Sequence, residues 1–233
     1  MGIRALLIGL TLSWLLASSV VAADFDKGLR AALLGDYATA LAEWVPMAEN
    51  GHVPAQCMLG TMYAYGLGMP KSNKIAVKWY TLAAGQGDAD AQYNLGVLYS
   101  NGKGVPEDNN VAIKWYTLAA EQGYDKAQYN LALMYANGEG VPKDDQVVEM
   151  WYTLAAKQGK AEAQSNLGVM YEFGVNVAVD HLRAYMWYNI GAFNGNMLGA
   201  ENKKTIVENM TSAQINKAQE MSSRCLESGY KDC

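Results

Sequence analysis

DADAQYNLGVLYSNGKGVPEDNNVAIKWYTLAAEQG, running from Asp88 to Gly123, returns in altered form in the stretches before and after it. Ala-Gln stands at Ala55/Gln56, Ala91/Gln92, Ala127/Gln128 and Ala163/Gln164, an interval of 36 residues. Leu followed by a small residue keeps the same interval at Leu59/Gly60, Leu95/Gly96, Leu131/Ala132 and Leu167/Gly168. So does Trp-Tyr, at Trp79, Trp115, Trp151 and Trp187. A period of this size marks a solenoid of stacked units, in which each unit buries its apolar face only against its neighbours.

Four gapless units follow, at 52–87, 88–123, 124–159 and 160–195. Each divides into two helical patterns. Ala91, Leu95, Leu98 and Tyr99 fall on one helical face, and Val111, Trp115, Leu118 and Ala119 on another. Gly96 leaves room for a neighbouring helix. Gly102 and Gly104 can adopt positive φ, and Pro106 stops the first helix from continuing. In the fourth unit Val175-Asn176-Val177-Ala178 replaces the Gly-x-Gly-Val-Pro turn, which predicts a loop of different shape. The repeated tryptophans read as core residues, each filling the same gap between units.

Outside the four units lie two flanking regions and a leader. Residues 24–51 match the second half of a repeat through Ala40, Trp44, Ala48 and Gly51, and read as an atypical opening unit. Residues 196–233 carry further helical patterns, with Thr211-x-x-Gln214 fitting a capping box, and read as the terminal cap that a solenoid needs. Residues 1–23 have the layout of a cleavable signal peptide: Arg4, an apolar run from Ala5 to Leu16, and Val21-Ala22-Ala23 before a mature start at Asp24. Export to a bacterial periplasm or beyond is expected, with no stable membrane insertion after cleavage.

The net charge of −5 provides no basic stripe, so nucleic acid is not an expected partner. Of the three cysteines, Cys225 and Cys233 are close enough in sequence to form a disulfide in an oxidising compartment, the alternative being two free thiols. Cys57 is left over as a small apolar residue. With two histidines, His52 and His181, far apart in sequence, no triad or metal cluster is apparent. No catalytic residue, metal ligand or cofactor motif is assigned. The Gly-x-Gly turns follow helices rather than strands and are not phosphate loops.

The pattern A-x-x-x-L-G-x-x-Y-x-x-G-x-G-V-x-x-D, then A-x-x-W-Y-x-x-A-A-x-x-G, is met almost completely between Ala91 and Gly123 and closely resembles the Sel1-like repeat family, relatives of the tetratricopeptide repeats. That resemblance implies an all-α, right-handed superhelical solenoid of helix-turn-helix repeats. It also implies a protein- or peptide-binding adaptor that works through its concave surface. In the tetratricopeptide register the groove positions are Asn94, Asn130 and Asn166, joined by Tyr93, Val97, Asn101, Tyr129, Leu133, Asn137, Val169 and Phe173. An asparagine amide there can both donate to and accept from a bound backbone. Met58 takes this place in the first unit, so the ladder has three rungs. The expected partner is a protein or extended peptide of the cell envelope.

Two alternatives come from the same resemblance and compartment. Some members of the family carry a β-lactamase label, and Ser-x-x-Lys occurs here at Ser100/Lys103 and Ser228/Lys231, but without Ser-Asp-Asn or Lys-Thr-Gly. A scaffold that binds an envelope polymer such as peptidoglycan is the other.

Overall fold

A computed structural model describes residues 23–233, so all of the expected leader but Ala23 lies outside the described residues. The described chain is helical throughout. An opening pair, α1 (Phe25–Leu33) and α2 (Tyr37–Glu49), leads into four regular pairs. These are α3 (Val53–Tyr65) with α4 (Asn73–Gly85), α5 (Ala89–Ser100) with α6 (Asn109–Glu121), α7 (Asp125–Asn137) with α8 (Asp145–Ala156), and α9 (Ala161–Phe173) with α10 (His181–Phe193). α11 (Met197–Ile206) and α12 (Ser212–Glu227) close the stack. Each helix of the pairs packs on the one before and the one after it, which is the contact pattern of a solenoid.

The second helix of every pair starts at a capped aspartate or serine. Asp36, Ser72, Asp108, Asp144 and Asp180 each accept a backbone N–H from the first turn. The turn before that cap is fixed by its second glycine. A Cβ on Gly104 would come within 2.5 Å of the Asn73 backbone, and one on Gly140 within 2.8 Å of Asn109. The fourth unit was expected to differ here, and it does not. Asn176 occupies the same place at φ 60°, the left-handed conformation that asparagine tolerates better than most residues, and its amide donates to Glu149 (2.9 Å).

The Leu-Gly motif is explained by the tyrosine of Trp-Tyr. A Cβ on Gly60, Gly96 or Gly168 would lie 2.5–2.6 Å from the ring of Tyr80, Tyr116 or Tyr188. Trp44 takes the tyrosine's place in the opening pair, and its indole donates to the Phe25 carbonyl (3.1 Å). Thus Trp44, Tyr80, Tyr116, Tyr152 and Tyr188 form one buried aromatic column. This corrects the core expected from sequence. Trp79, Trp115 and Trp151 are only half-buried, Leu118 is exposed, and the buried face of α6 is Ala112, Ile113, Tyr116, Ala119 and Ala120. Only at Trp187, in the last pair, is the repeated tryptophan fully enclosed.

The Ala-Gln motif is a clasp between units. Gln92 donates to the Ala84 carbonyl of the preceding unit (3.2 Å) and accepts from Gln122 at the end of its own second helix (2.7 Å). Gln56, Gln128 and Gln164 repeat both bonds, with Asn194 as the donor in the last unit. The four glutamines are buried, and a buried amide is stabilising only when its hydrogen-bonding capacity is met. At the C-terminus α12 opens on the expected Thr211/Gln214 capping box and lies against α10, and Cys225 pairs with Cys233 (Cα–Cα 4.8 Å).

Candidate functional site

The first helices form the inner side of the stack, where α3 touches α5 directly and α9 touches the closing helix α11. Between α5 and α7 this side sinks into an open depression of about 420 Å³. Six of the positions expected to form a groove meet there: Tyr93, Val97 and Asn101 from the second unit, and Asn130, Leu133 and Asn137 from the third. They converge because Val97 to Asn101 and Leu133 to Asn137 are each spaced i, i+4 on helices that face the same way. Asn94 lines the smaller adjoining hollow, which shares Val97 and contains Lys71 and Lys103.

The other four positions have different surroundings. Tyr129 stacks on Tyr152 (centroids 5.8 Å apart), with the Lys160 ammonium over its ring (5.4 Å). Val169 packs against the cluster of Ala184, Tyr185, Tyr188 and Ile206, so the terminal helices cover that part of the inner side. Phe173 stands exposed at the end of α9. Asn166 sits beside the Tyr152 hydroxyl and opposes the upward shift that burial gives it.

The asparagines are tied to the fold to different extents. The Asn130 amide donates to the Tyr116 hydroxyl (3.3 Å). Burial raises the pKa of that hydroxyl, and Ser100 and Asn130 partly offset the shift. The Asn94 amide bonds back to the Asp90 carbonyl (2.9 Å) and that of Asn101 to the Val97 carbonyl (2.8 Å). Asn137 donates to Glu139 (2.9 Å), the one acidic side chain among the residues lining the depression. Sequence inspection stopped the asparagine series too early. Asn202 in α11 lies one further 36-residue step beyond Asn166 and stands near the Tyr188 hydroxyl, which donates to Glu172 (2.5 Å). The step from Asn166 was the available signal, but Leu-Gly and Ala-Gln are both lost around it.

Ser100, from the Ser-x-x-Lys motif, donates to the Val97 carbonyl (3.2 Å) and lies 3.5 Å from the Tyr116 hydroxyl. Its role in the structure is to end a helix. His52 caps α3, its Nδ1 accepting from the Ala55 N–H (3.2 Å). Burial pushes the pKa of the Cys57 thiol well up, away from the reactive thiolate.

A sequence profile described as the Sel1 repeat matches the chain four times, at residues 53–88, 89–124, 125–160 and 161–196. The chain belongs to the Sel1 repeat family. Members of this family generally serve as protein-interaction scaffolds and are typically non-catalytic. Among solved structures, a Sel1 repeat protein from Oxalobacter formigenes is 29% identical and superposes with a TM-score of 0.76, covering 87% of this chain and 83% of its own. The c5321 protein, a protective antigen present in uropathogenic Escherichia coli strains that displays an SLR fold, is 28% identical with a TM-score of 0.57. That match covers 91% of this chain but 56% of the antigen. A search of curated proteins returned no match. The Sel1 assignment points to protein partners, and among the described residues no helix is long and apolar enough to cross a membrane.

Proposed function

We propose that this Sel1 repeat protein is an exported, non-catalytic adaptor that holds an extended segment of an envelope protein in the depression between α5 and α7. The observation that carries this reading is the convergence of Val97 and Leu133 with Tyr93, Asn101 and Asn137 in one open hollow that spans two units. Apolar floor and amide rim suit a peptide whose side chains are buried while its backbone is bonded. Glu139 at the rim favours a donor or cationic side chain on the ligand. Asn130 and Asn166 face the tyrosine column, and Asn101 and Asn137 are the better candidates for ligand contact.

Export from the cytoplasm rests on the leader pattern and gains support from the start of the fold. Asp24 caps α1, and its backbone nitrogen donates to Glu43 (2.9 Å), which also pairs with Lys27. Glu43 stands where Trp79, Trp115 and Trp151 stand in later units, and it is buried. Cleavage after Ala23 would turn the Asp24 nitrogen into an ammonium facing that carboxylate. Intact mass of the envelope fraction, with and without reductant, should give a chain starting at Asp24 with one disulfide. A retained leader would remove the exported reading.

Binding is tested with peptides selected by display on the intact mature chain. Asn101→Ala together with Asn137→Ala should weaken the selected peptides by about 1–3 kcal/mol while leaving the melt nearly unchanged. Undiminished affinity would take the rim amides out of the site.

A further inference from the structure

We propose that the outer faces of α4, α6 and α8 form a second interaction surface, separate from the inner depression, that receives an amphipathic α-helix of a protein partner. Each of these helices exposes the same pair, three residues apart: Trp79 with Leu82, Trp115 with Leu118, and Trp151 with Leu154. The leucines are 51%, 43% and 42% exposed, and the tryptophans are half-buried. The pairs form a row rather than three isolated spots. Trp115 packs on the buried cluster that α3, α4 and α5 share, and Trp151 packs both on the cluster of α6 and α7 and on the one that contains Trp187. Contiguous apolar surface of this kind on a stable fold marks a place where another protein sits.

The molecule itself shows what fits such a row. In the fourth unit the equivalent pair is Trp187 and Ile190, exposed to 4% and 0%. They are enclosed by α12 and its tail: Cys225 joins their cluster, and Met221, Leu226 and Tyr230 pack on it. α12 offers Ala218, Met221, Ser222 and Cys225 at i, i+3, i+4 and i+7, a narrow stripe of small and thioether-sized groups that lets one helix lie close on another. The Tyr230 hydroxyl bonds Asn194, at the position that Gln86, Gln122 and Gln158 hold in the earlier units. The free row is therefore continuous with an occupied one, and the occupant of that one is a helix.

Local charge adds to the description of the partner. Lys78 and Lys114 precede Trp79 and Trp115 and are exposed, with Lys74 one turn before Lys78. None of the three takes part in an ion pair among the described residues. On a chain of net charge −5 this basic edge selects a helix with an acidic flank beside its apolar stripe.

The probe is a synthetic peptide of residues 212–227 carrying Cys225→Ser, cross-linked on its polar face because an isolated helix of this length is marginal in water. Fluorescence anisotropy with the intact mature chain should show saturable binding. Leu118→Glu, at an exposed site, should keep the wild-type melt and weaken binding roughly ten-fold or more, as expected for a central anchor. Leu133→Arg, in the inner depression, should leave it unchanged, which separates this surface from the peptide site proposed above. A peptide that also carries Lys217→Glu should bind more tightly at low ionic strength. The proposal is overturned by no saturable binding of either peptide or by equal binding to Leu118→Glu. It is also overturned if sedimentation shows a dimer that Leu118→Glu dissociates, since a second copy would then be the occupant.

Discussion

The second helices of the middle units and of the last unit carry the same Trp-Tyr pair in different surroundings. In α4, α6 and α8 the tyrosine is buried and the tryptophan is half-exposed; in α10 both are buried, because α12 lies over the outer face. The tyrosine is thus part of the repeat itself, packed within its own unit against a small residue, glycine at Gly60, Gly96 and Gly168 and alanine at Ala132. Burial of the tryptophan depends on what covers the outer face. The repeating core of alanines, leucines, tyrosine column and glutamine clasp closes without the half-buried tryptophans of α4, α6 and α8 being covered.

The largest effect should come from the tyrosine column. Tyr116→Ala is expected to cost about 3–5 kcal/mol as a large-to-small change in a packed core. Trp115→Ala, one residue away, should cost about 1–2 kcal/mol because part of its surface is already in water. Denaturant melts of the two variants decide this, and equal losses would break the distinction. Trp187→Ala should fall near the tyrosine value, about 3 kcal/mol, since α12 encloses it.

Gln92→Leu tests the clasp. It removes the bonds to the Ala84 carbonyl and from Gln122, while that carbonyl keeps the Gly87 N–H (3.0 Å). A loss of about 1–3 kcal/mol in the same melts is expected. A neutral result would mean that the glutamines merely fill space.

Alkali sharpens the comparison, because only the tyrosine member of the pair titrates. Burial raises the hydroxyls of Tyr80, Tyr116 and Tyr188, and pushes Tyr152 up from 10 to about 12. The folded state therefore favours neutral phenols. Stability from this source is fully present below about pH 10, where unfolded tyrosines are still protonated, and is lost as pH rises through the native values. The melting temperature should hold from neutral pH to about pH 9 and fall steeply above about pH 10. Tyr152→Phe should lessen the fall. The smallest effect is expected for Leu118→Glu, within about 0.5 kcal/mol of wild type.

Much of this was legible in the sequence, because each unit must satisfy the same geometry and so repeats the same letters. The 36-residue period located the helices and turns of the four units, and Thr211-x-x-Gln214 marked the start of α12. Period alone could not say which of two adjacent aromatics faces inward, since Trp115 and Tyr116 repeat equally well. One residue rotates a helical face by about 100°. The row Val111, Trp115, Leu118 is apolar enough to pass for a core, whereas Ala112, Tyr116, Ala119 and Ala120 is the face that is buried. The inner depression was partly legible: Val97, Asn101, Leu133 and Asn137 came together, while Val169 was lost to packing by the terminal helices, which no repeat register could reveal. Asn202 was missed because the letters around it had diverged while its backbone position had not. The turn at Asn176 kept its shape because that position needs a positive φ and asparagine can supply one.

The most direct test of binding in the inner depression is isothermal titration of a display-selected peptide against three mature chains: wild type, Leu133→Arg and Leu118→Glu. Binding should weaken roughly ten-fold or more with Leu133→Arg, where a bulky charge fills the hollow, and should match wild type with Leu118→Glu. Wild-type affinity for Leu133→Arg would contradict the assignment of the hollow between α5 and α7 as the peptide site.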